Sequence, residues 1–437
     1  MGKDLIFNPY VVFYGKKFLL NCLTKKIYRL NETEYIQLKK RKYPKKLKNY
    51  LKKELILVEK NLFFKNILLK YKKQKDPYYF ESLLIVPANR CNLRCSYCFV
   101  YGGKKPKKIK EVDLKDIKRA IELFFEKNTC KEPLVTFYGG EPLLRPDFIF
   151  DCINFIEKKL KKKIKKRIIT NGTLITKAIA SKIKKHNIEI AVSIDGMKEI
   201  HDKVRVYPNG KGSFENALRG FLTLKNIGVE TNILCTVWKH NILNLEENIK
   251  FLCSLKPTAI ALNLPREISD RSLKKEITNK EIIEKYAKCL QILYSHHIPE
   301  LNFLKLIKGF IEKVIPFKPC SACGAQMVIS PDNYVGPCQA YINSKKYFTY
   351  INKIKSKQDL LKNKYFELWR KIDKISSKKC FGCEIMPLCM DDCIIDRKNY
   401  NKDFLLPTSL QCAFRKKMVE ILVKRLVNKQ PLQFDTK

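Results

Sequence analysis

Between Leu83 and Leu264 short apolar runs alternate with amphipathic stretches, and few folds accommodate that order. Leu83 to Val86, Leu134 to Tyr138, Lys166 to Thr170, Ile188 to Ile194, Glu230 to Val237 and Ala259 to Leu264 read as strands. Leu114 to Lys127, Asp147 to Lys159, Thr176 to His186, Phe214 to Asn226 and Leu243 to Ser254 read as helices. Glu111 and Asp113 precede the first helix and Lys127 ends it, which suits the helix dipole. Six βα-like units in about 180 residues predict an α/β fold, a parallel sheet curved into a partial (β/α)6 TIM-like barrel. Active residues of such a sheet belong at the C-terminal strand ends and in the loops after them.

The 437 residues suffice for two or three domains. A hydrophobic content of 45% is globular and excludes a disordered chain. No apolar run is long enough to span a bilayer, so no membrane partner is expected. Met1-Gly2-Lys3-Asp4-Leu5 lacks the apolar run of a signal peptide, and Gly2 is not followed by a myristoylation motif. A cytoplasmic protein is expected. The 17 cysteines are an odd number without a secretion signal, which argues against a disulfide framework. The net charge of +45 suggests nucleic acid, but 73 lysines against 15 arginines are spread along the whole chain. A nucleic-acid reader concentrates basic residues with arginines and aromatics on one face. A general lysine bias, or an acidic peptide partner drawn in by this field, fits better.

The motifs sit at the predicted strand ends. Asn89-Arg90-Cys91-Asn92-Leu93-Arg94-Cys95-Ser96-Tyr97-Cys98 follows the first strand with the spacing C-x3-C-x2-C. Three thiolates hold three irons of a [4Fe–4S] cube and leave the fourth open to a ligand. Zinc would need a fourth protein ligand, and no histidine or further cysteine follows nearby. Gly139-Gly140-Glu141-Pro142 follows the second strand, with glycines that bare the backbone to a ligand. Thr170-Asn171-Gly172-Thr173 ends the third strand and Ser193-Ile194-Asp195-Gly196 the fourth. His201, Asp202 and Arg205 come next.

This set resembles the radical S-adenosylmethionine (SAM) enzymes. The resemblance implies that Cys91, Cys95 and Cys98 hold the catalytic cluster and that its open iron chelates SAM. It implies that Tyr97 lies by the adenine and that Gly139, Gly140 and Glu141 meet the methionyl ammonium. Thr170 and Asn171 would line the pocket, and Ser193 would face the ribose. Asp195 would line the site or cap its turn, and Arg205 would reach a carboxylate of SAM or substrate. His201 reads as a loop-fixing residue rather than a base. An external one-electron donor reduces the cluster, and a 5'-deoxyadenosyl radical then takes hydrogen from the substrate.

A second resemblance, to the SPASM auxiliary-cluster domain, lies in Cys380-x2-Cys383-x5-Cys389-x3-Cys393 with Cys412, and in Cys320-x2-Cys323-x14-Cys338. It implies one cluster on Cys320, Cys323, Cys338 and Cys393 and another on Cys380, Cys383, Cys389 and Cys412, hence three [4Fe–4S] clusters in all. Asn333 stands where the family has glycine, and asparagine tolerates a left-handed turn. Zinc on these eight cysteines is the alternative.

Residues 1–75 read as a small separate unit of three strands (Tyr10 to Phe13, Phe18 to Asn21, Ile27 to Leu30), a helix capped by Asn31 with Glu34, a helix after Pro44, and a strand Glu54 to Val58. The order resembles the PqqD-related peptide-recognition element, which binds a precursor leader by β-augmentation. The expected domains are 1–75 for recognition, 80–270 for the barrel, 271–315 for a helical bridge, and 316–437 for the auxiliary clusters. The preferred function is maturation of a ribosomal precursor peptide, with an acidic leader, by an oxidative carbon–carbon, ether or thioether crosslink. The first alternative is a formylglycine-forming sulfatase maturase. In that branch an aspartate base follows the cysteine corresponding to Cys338, and here the residue is Gln339. The second alternative is a basic nucleic-acid-binding zinc protein.

Overall fold

The computed structural model describes residues 5–74, 80–98, 108–159, 164–264, 277–389 and 393–429. The first four residues and the start of the expected helical bridge, 271–276, lie outside them. Residues 1–75, 303–320 and 372–437 form one compact unit, and 76–302 with 321–371 form the other. Among the described residues no helix is long and apolar enough to cross a membrane.

In the first unit β1 (Leu5–Phe7), β2 (Val11–Tyr14), β3 (Phe18–Asn21), β4 (Lys26–Arg29) and β5 (Leu57–Glu59) make two sheets. The expected three strands form the antiparallel sheet β2-β3-β4, while β1, not expected, pairs antiparallel with β5. Asn31 caps the helix Glu32–Lys39, and Glu34 closes a capping box. The helix Lys45–Lys53 starts after Pro44, as read. Val11, Leu19, Leu38, Leu51, Ile56 and Leu57 form the local core.

A third helix, Lys60–Gln74, was not legible, because its apolar residues do not fall on one stripe: Phe63 and Ile67 are buried while Leu62, Leu68 and Leu69 are exposed. This helix also explains why residues 1–75 do not stand apart. Tyr10 rests on Phe63 and donates its hydroxyl to the carbonyl of Phe381 at 2.9 Å. Phe64 packs on Phe381, and the Tyr71 hydroxyl donates to Asp373. The C-terminal segment adds Ile394–Asn401 and Ser409–Val427, the latter capped by Thr408.

The second unit holds the predicted parallel strands: β6 (Ser82–Ile85), β7 (Leu134–Phe137), β8 (Lys165–Thr170), β9 (Glu189–Ser193), β10 (Thr231–Thr236) and β11 (Ile260–Asn263). They pair in chain order, with helices Leu114–Phe125, Pro146–Lys159, Lys177–Lys185, Phe214–Asn226 and Leu245–Ser254 between them. Sequential neighbours with helical crossovers are what the right-handed βαβ rule produces. The sheet does not end at β6. Strand β12 (Gln326–Ile329) joins it in parallel, and β13 (Tyr334–Gly336) and β14 (Thr349–Tyr350) follow antiparallel, for nine strands. The sequence reading placed this segment in a cysteine domain starting at 316. Its strand is only four residues, all buried, between cysteines that drew attention elsewhere. Asn333 turns β12 into β13 with φ +62°, the left-handed conformation expected of it.

Candidate active site

Three strand-end loops of the second unit are fastened to one another. After β7, Gly139 adopts φ +131°, and a Cβ on Gly140 would lie 2.0 Å from the Arg90 carbonyl oxygen. Only glycine lets this turn touch the residue before Cys91. The contact is then made by the Glu141 amide, which donates to that carbonyl at 2.9 Å.

Glu141 is buried, and both its oxygens are engaged. Oε1 accepts from Thr170 Oγ1 at 2.6 Å and the Leu143 amide at 3.0 Å, and Oε2 accepts from the Asn171 amide at 2.8 Å. Burial pushes its pKa up to about 7 against the pull of these donors. Asn171 donates to Asn92 Oδ1 at 2.8 Å, and Asn92 donates to Thr173 Oγ1 at 2.8 Å. The cysteine loop, the Gly-Gly-Glu-Pro turn and the Thr-Asn-Gly element are therefore one network. Glu141, expected to meet an ammonium, joins the loops around the first cysteine.

The second half centres on Asp195, which has no exposed surface. Its Oδ2 accepts from Tyr97 OH at 2.5 Å and Arg205 Nε at 2.9 Å. Its Oδ1 accepts from the Thr236 amide at 2.9 Å and lies 3.3 Å from Arg205 Nη2. Burial would raise its pKa, but Arg205, with His240 beside it, outweighs burial and holds the carboxyl well below the usual range. The Tyr97 ring stacks on His240 and meets Trp238 edge-on, with the Arg205 guanidinium 5.3 Å from its centre. Tyr97 and Arg205, expected to face cofactor or substrate, are both tied to Asp195. Ser193 closes β9 half-buried beside them.

His201 is fully buried. The Asp195 amide donates to its Nδ1 at 3.4 Å, and its Nε2 lies 3.1 Å from Ser213 Oγ, which donates to the Arg205 carbonyl. Burial, then Arg205, pushes its pKa down to about 3, so the ring is neutral. It fixes the loop, as expected. Sequence reasoning missed Asn92, Trp238, His240 and Asn241, the last donating its side-chain amide to the Asp195 carbonyl at 3.1 Å. The last three follow β10, and the strand-end rule applied to that strand as to the others would have found them.

The thiols of Cys91, Cys95 and Cys98 are partly buried. Burial pushes the Cys91 pKa up to about 12, with Glu141, Cys95 and Cys98 adding. Burial pushes Cys95 up to about 11, with Arg205 opposing and Cys98 adding. Among the described residues no three Cys, His, Asp or Glu side chains converge on a single-ion site. Three thiols on one strand-end loop are the donor set of a cube with one open iron.

A model of the radical SAM superfamily matches residues 85–252. The cysteine-type anaerobic sulfatase-maturating enzyme of Clostridium novyi is 30% identical over 344 residues, covering 74% of this chain and 89% of that protein. The chain belongs to the radical SAM superfamily. It is a SAM-radical oxidoreductase, and this replaces the zinc-protein alternative. The solved structure of native anSMEcpe with bound AdoMet has TM-score 0.68 at 21% identity, over 80% of this chain and 99% of that one. Streptococcus suis SuiB bound to precursor peptide SuiA has TM-score 0.57 at 16% identity, over 93% and 99%. Both share the fold, including a C-terminal auxiliary domain.

The auxiliary cysteines divide between the units. Cys323 and Cys338 belong to the sheet unit, and Cys320 and Cys393 to the other. Cys380, Cys383, Cys389 and Cys412 all belong to the first unit. Burial pushes Cys383 up to about 11, and Cys389 adds to this. The buried Arg397 points Nη2 at Cys380 Sγ, 3.6 Å away. Lys416 pairs with Glu384 at 2.7 Å and senses Cys383 and Cys412. Thiols bordered by cations fit an anionic four-thiolate group.

Proposed function

We propose that this chain oxidises a side-chain carbon in a peptide or protein segment. The supporting observation is the interlocked set of strand-end loops around Cys91, in a radical SAM chain whose relatives modify such substrates. Cluster and SAM, when bound, supply a radical that abstracts hydrogen. The protein holds them with Cys91, Cys95, Cys98 and the bare backbone at Gly139 and Gly140. Glu141 and Asp195 lock the surrounding loops, and the half-buried Tyr97 with the buried Trp238 and His240 side chains keeps water out. Eight further cysteines would hold two auxiliary clusters, about twelve irons in all.

Formylglycine formation from cysteine is the better supported product, because the Clostridium novyi relative is a sulfatase-maturating enzyme matched over 89% of its length. A crosslink in a ribosomal peptide is the second reading, favoured by Gln339. Its Oε1 accepts from Gln326 Nε2 at 3.1 Å, and Gln326 also donates to the Pro337 carbonyl, so a neutral amide pair stands where a base would. The likeness to peptide-bound SuiB over 93% of this chain supports the same reading for the N-terminal strands and helices. The net charge of +45 suits an acidic leader, whose binding should weaken with salt.

The test is anaerobic turnover with SAM and a one-electron reductant on two substrates, a cysteine-bearing sulfatase peptide and a precursor-type peptide with an acidic leader. A hydrazine-reactive carbonyl identifies formylglycine. Loss of two hydrogens with blocked fragmentation identifies a crosslink. SAM cleavage that leaves both peptides unchanged, or adds a methylene, defeats both. Cys95→Ala should abolish 5'-deoxyadenosine formation in either case.

A further inference from the structure

The chain reaches Cys91 through Pro87, Ala88, Asn89 and Arg90, and a second segment lies along this approach. Residues 108–112 run antiparallel to it. Ala88 bridges Glu111, the Asn89 amide donates to the Lys110 carbonyl at 3.1 Å, and the Val112 amide donates to the Pro87 carbonyl at 3.1 Å. The Asn89 side chain closes the same pair, donating to the Lys108 carbonyl at 2.8 Å and accepting from the Lys110 amide at 2.7 Å. Two short extended segments are marginal by themselves. A third element holds these two.

That element is Arg145. Its Nη1 donates to the carbonyls of Pro87 at 3.0 Å and Val112 at 2.9 Å, one on each segment, and its Nε lies 3.3 Å from Glu111 Oε2. The other oxygen of Glu111 meets Arg90 Nη2 at 3.0 Å. Arg145 is the least exposed of the three side chains, 21% against 35% for Glu111 and 41% for Arg90. An exposed pair such as Arg90 with Glu111 contributes little alone, whereas charge-assisted bonds to two carbonyls are strong. The backbone fixes where the guanidinium starts. The short turn Pro142–Leu144 ends at Arg145, whose amide donates to the Pro142 carbonyl at 3.0 Å, and the helix Pro146–Lys159 begins at the next residue. The guanidinium lies 4.3 Å from the centre of the Phe148 ring. It is not what seats that helix, because Ile149, Ile153 and Ile156 are fully buried.

We propose that Arg145 is a positioning residue: it fixes the approach to Cys91 and so sets where the first thiol of the cysteine loop stands. This rests on reading Cys91, Cys95 and Cys98 as ligands of the SAM-cleaving cluster. The turn after β7 grips the approach twice, through the Glu141 amide at the Arg90 carbonyl and through Arg145 at the Pro87 carbonyl. A planar fork reaches two carbonyls and a carboxylate together, which the point charge of a lysine does less well.

The experiment uses the full chain, iron-free and, separately, reconstituted anaerobically. Arg145→Met removes the fork and keeps an apolar stem on Phe148, and Arg145→Lys keeps one charged donor. Hydrogen exchange on the iron-free chain reads the amides of Asn89 and Val112. Formation of 5'-deoxyadenosine from SAM reads the reconstituted chain. In Arg145→Met the two amides should exchange about tenfold faster while those of β9 to β11 keep wild-type rates, and SAM cleavage should fall about 100-fold. Arg145→Lys should recover about tenfold of the lost rate, with exchange protection returning in step. Wild-type cleavage in Arg145→Met overturns the proposal, and so does unchanged exchange at Asn89 and Val112 whatever the rate. Failure to fold, or faster exchange throughout the sheet, also overturns it, since an arginine that merely holds the fold would behave so. Wild-type protein that takes up no iron and cleaves no SAM overturns the radical reading beneath it, an outcome told apart by the exchange rates, which need no iron.

Discussion

Asp195 shows how a single side chain can hold a strand-end loop. It joins Tyr97 of the cysteine loop, Arg205 of the following turn and the amide of Thr236. Asp195→Asn leaves the buried Arg205 without its counter-charge, and stability should fall by about 3–5 kcal/mol in denaturant titrations. His201 gives a pH signature. Its folded pKa of about 3 lies below the ordinary value, so between there and about 6.5 the unfolded chain binds a proton that the folded chain does not. Stability therefore rises with pH through that window and is fully present above it. In His201→Asn the dependence of unfolding free energy on pH should be shallower by up to about 1.4 kcal/mol per pH unit. Parallel pH profiles for wild type and variant would show that the ring does not stay neutral on folding.

Elements were legible where their period was strong. The alternating helices and strands from β6 to β11 came from apolar periodicity, and the residues that end those strands came with them. Cys91, Glu141, Thr170 and Asn171 were brought together as expected. What periodicity could not carry was non-local. Strand β12 is too short to announce itself, and its place beside β6 depends on pairing across more than 240 residues. The helix Lys60–Gln74 shows no stripe because its environment differs along its length. The partners of Glu141 and Arg205 were not legible for a similar reason: only the folded loops supply them. The close approach of two loops gives a sharp expectation. Gly140→Ala must push the turn off the Arg90 carbonyl and displace the residue before Cys91. SAM cleavage should fall about 100-fold with the fold intact by circular dichroism, since small misplacements carry that penalty. Full activity in this variant would mean the cysteine loop yields freely.

The whole molecule is two units, and only one of them is nearly continuous in sequence. The sheet unit spans 76–302 with a later insertion, 321–371. The other is gathered from residues 1–75, 303–320 and 372–437, with Tyr10, Phe64 and Tyr71 seated on Phe381 and Asp373. Removing residues 1–75 should therefore do more than weaken peptide binding. The truncated chain should melt earlier and lose auxiliary iron, while retaining the core cluster of the sheet unit. Iron counting and calorimetry on residues 76–437 check this, and a truncated protein as stable as the full chain would show that the C-terminal helices stand alone.

The same gathering governs how the protein comes off the ribosome. The N-terminal strands and helices, residues 5–74, emerge long before residues 372–429, which encode part of their packing surface. Chain growth proceeds at about 5–20 residues per second, so those strands spend many seconds with Tyr10 and Phe64 uncovered. Contacts that distant are slow to find. The sheet unit can complete its pairing once Tyr350 has emerged, while the N-terminal strands wait for residues 372–429 with apolar surface open to aggregation.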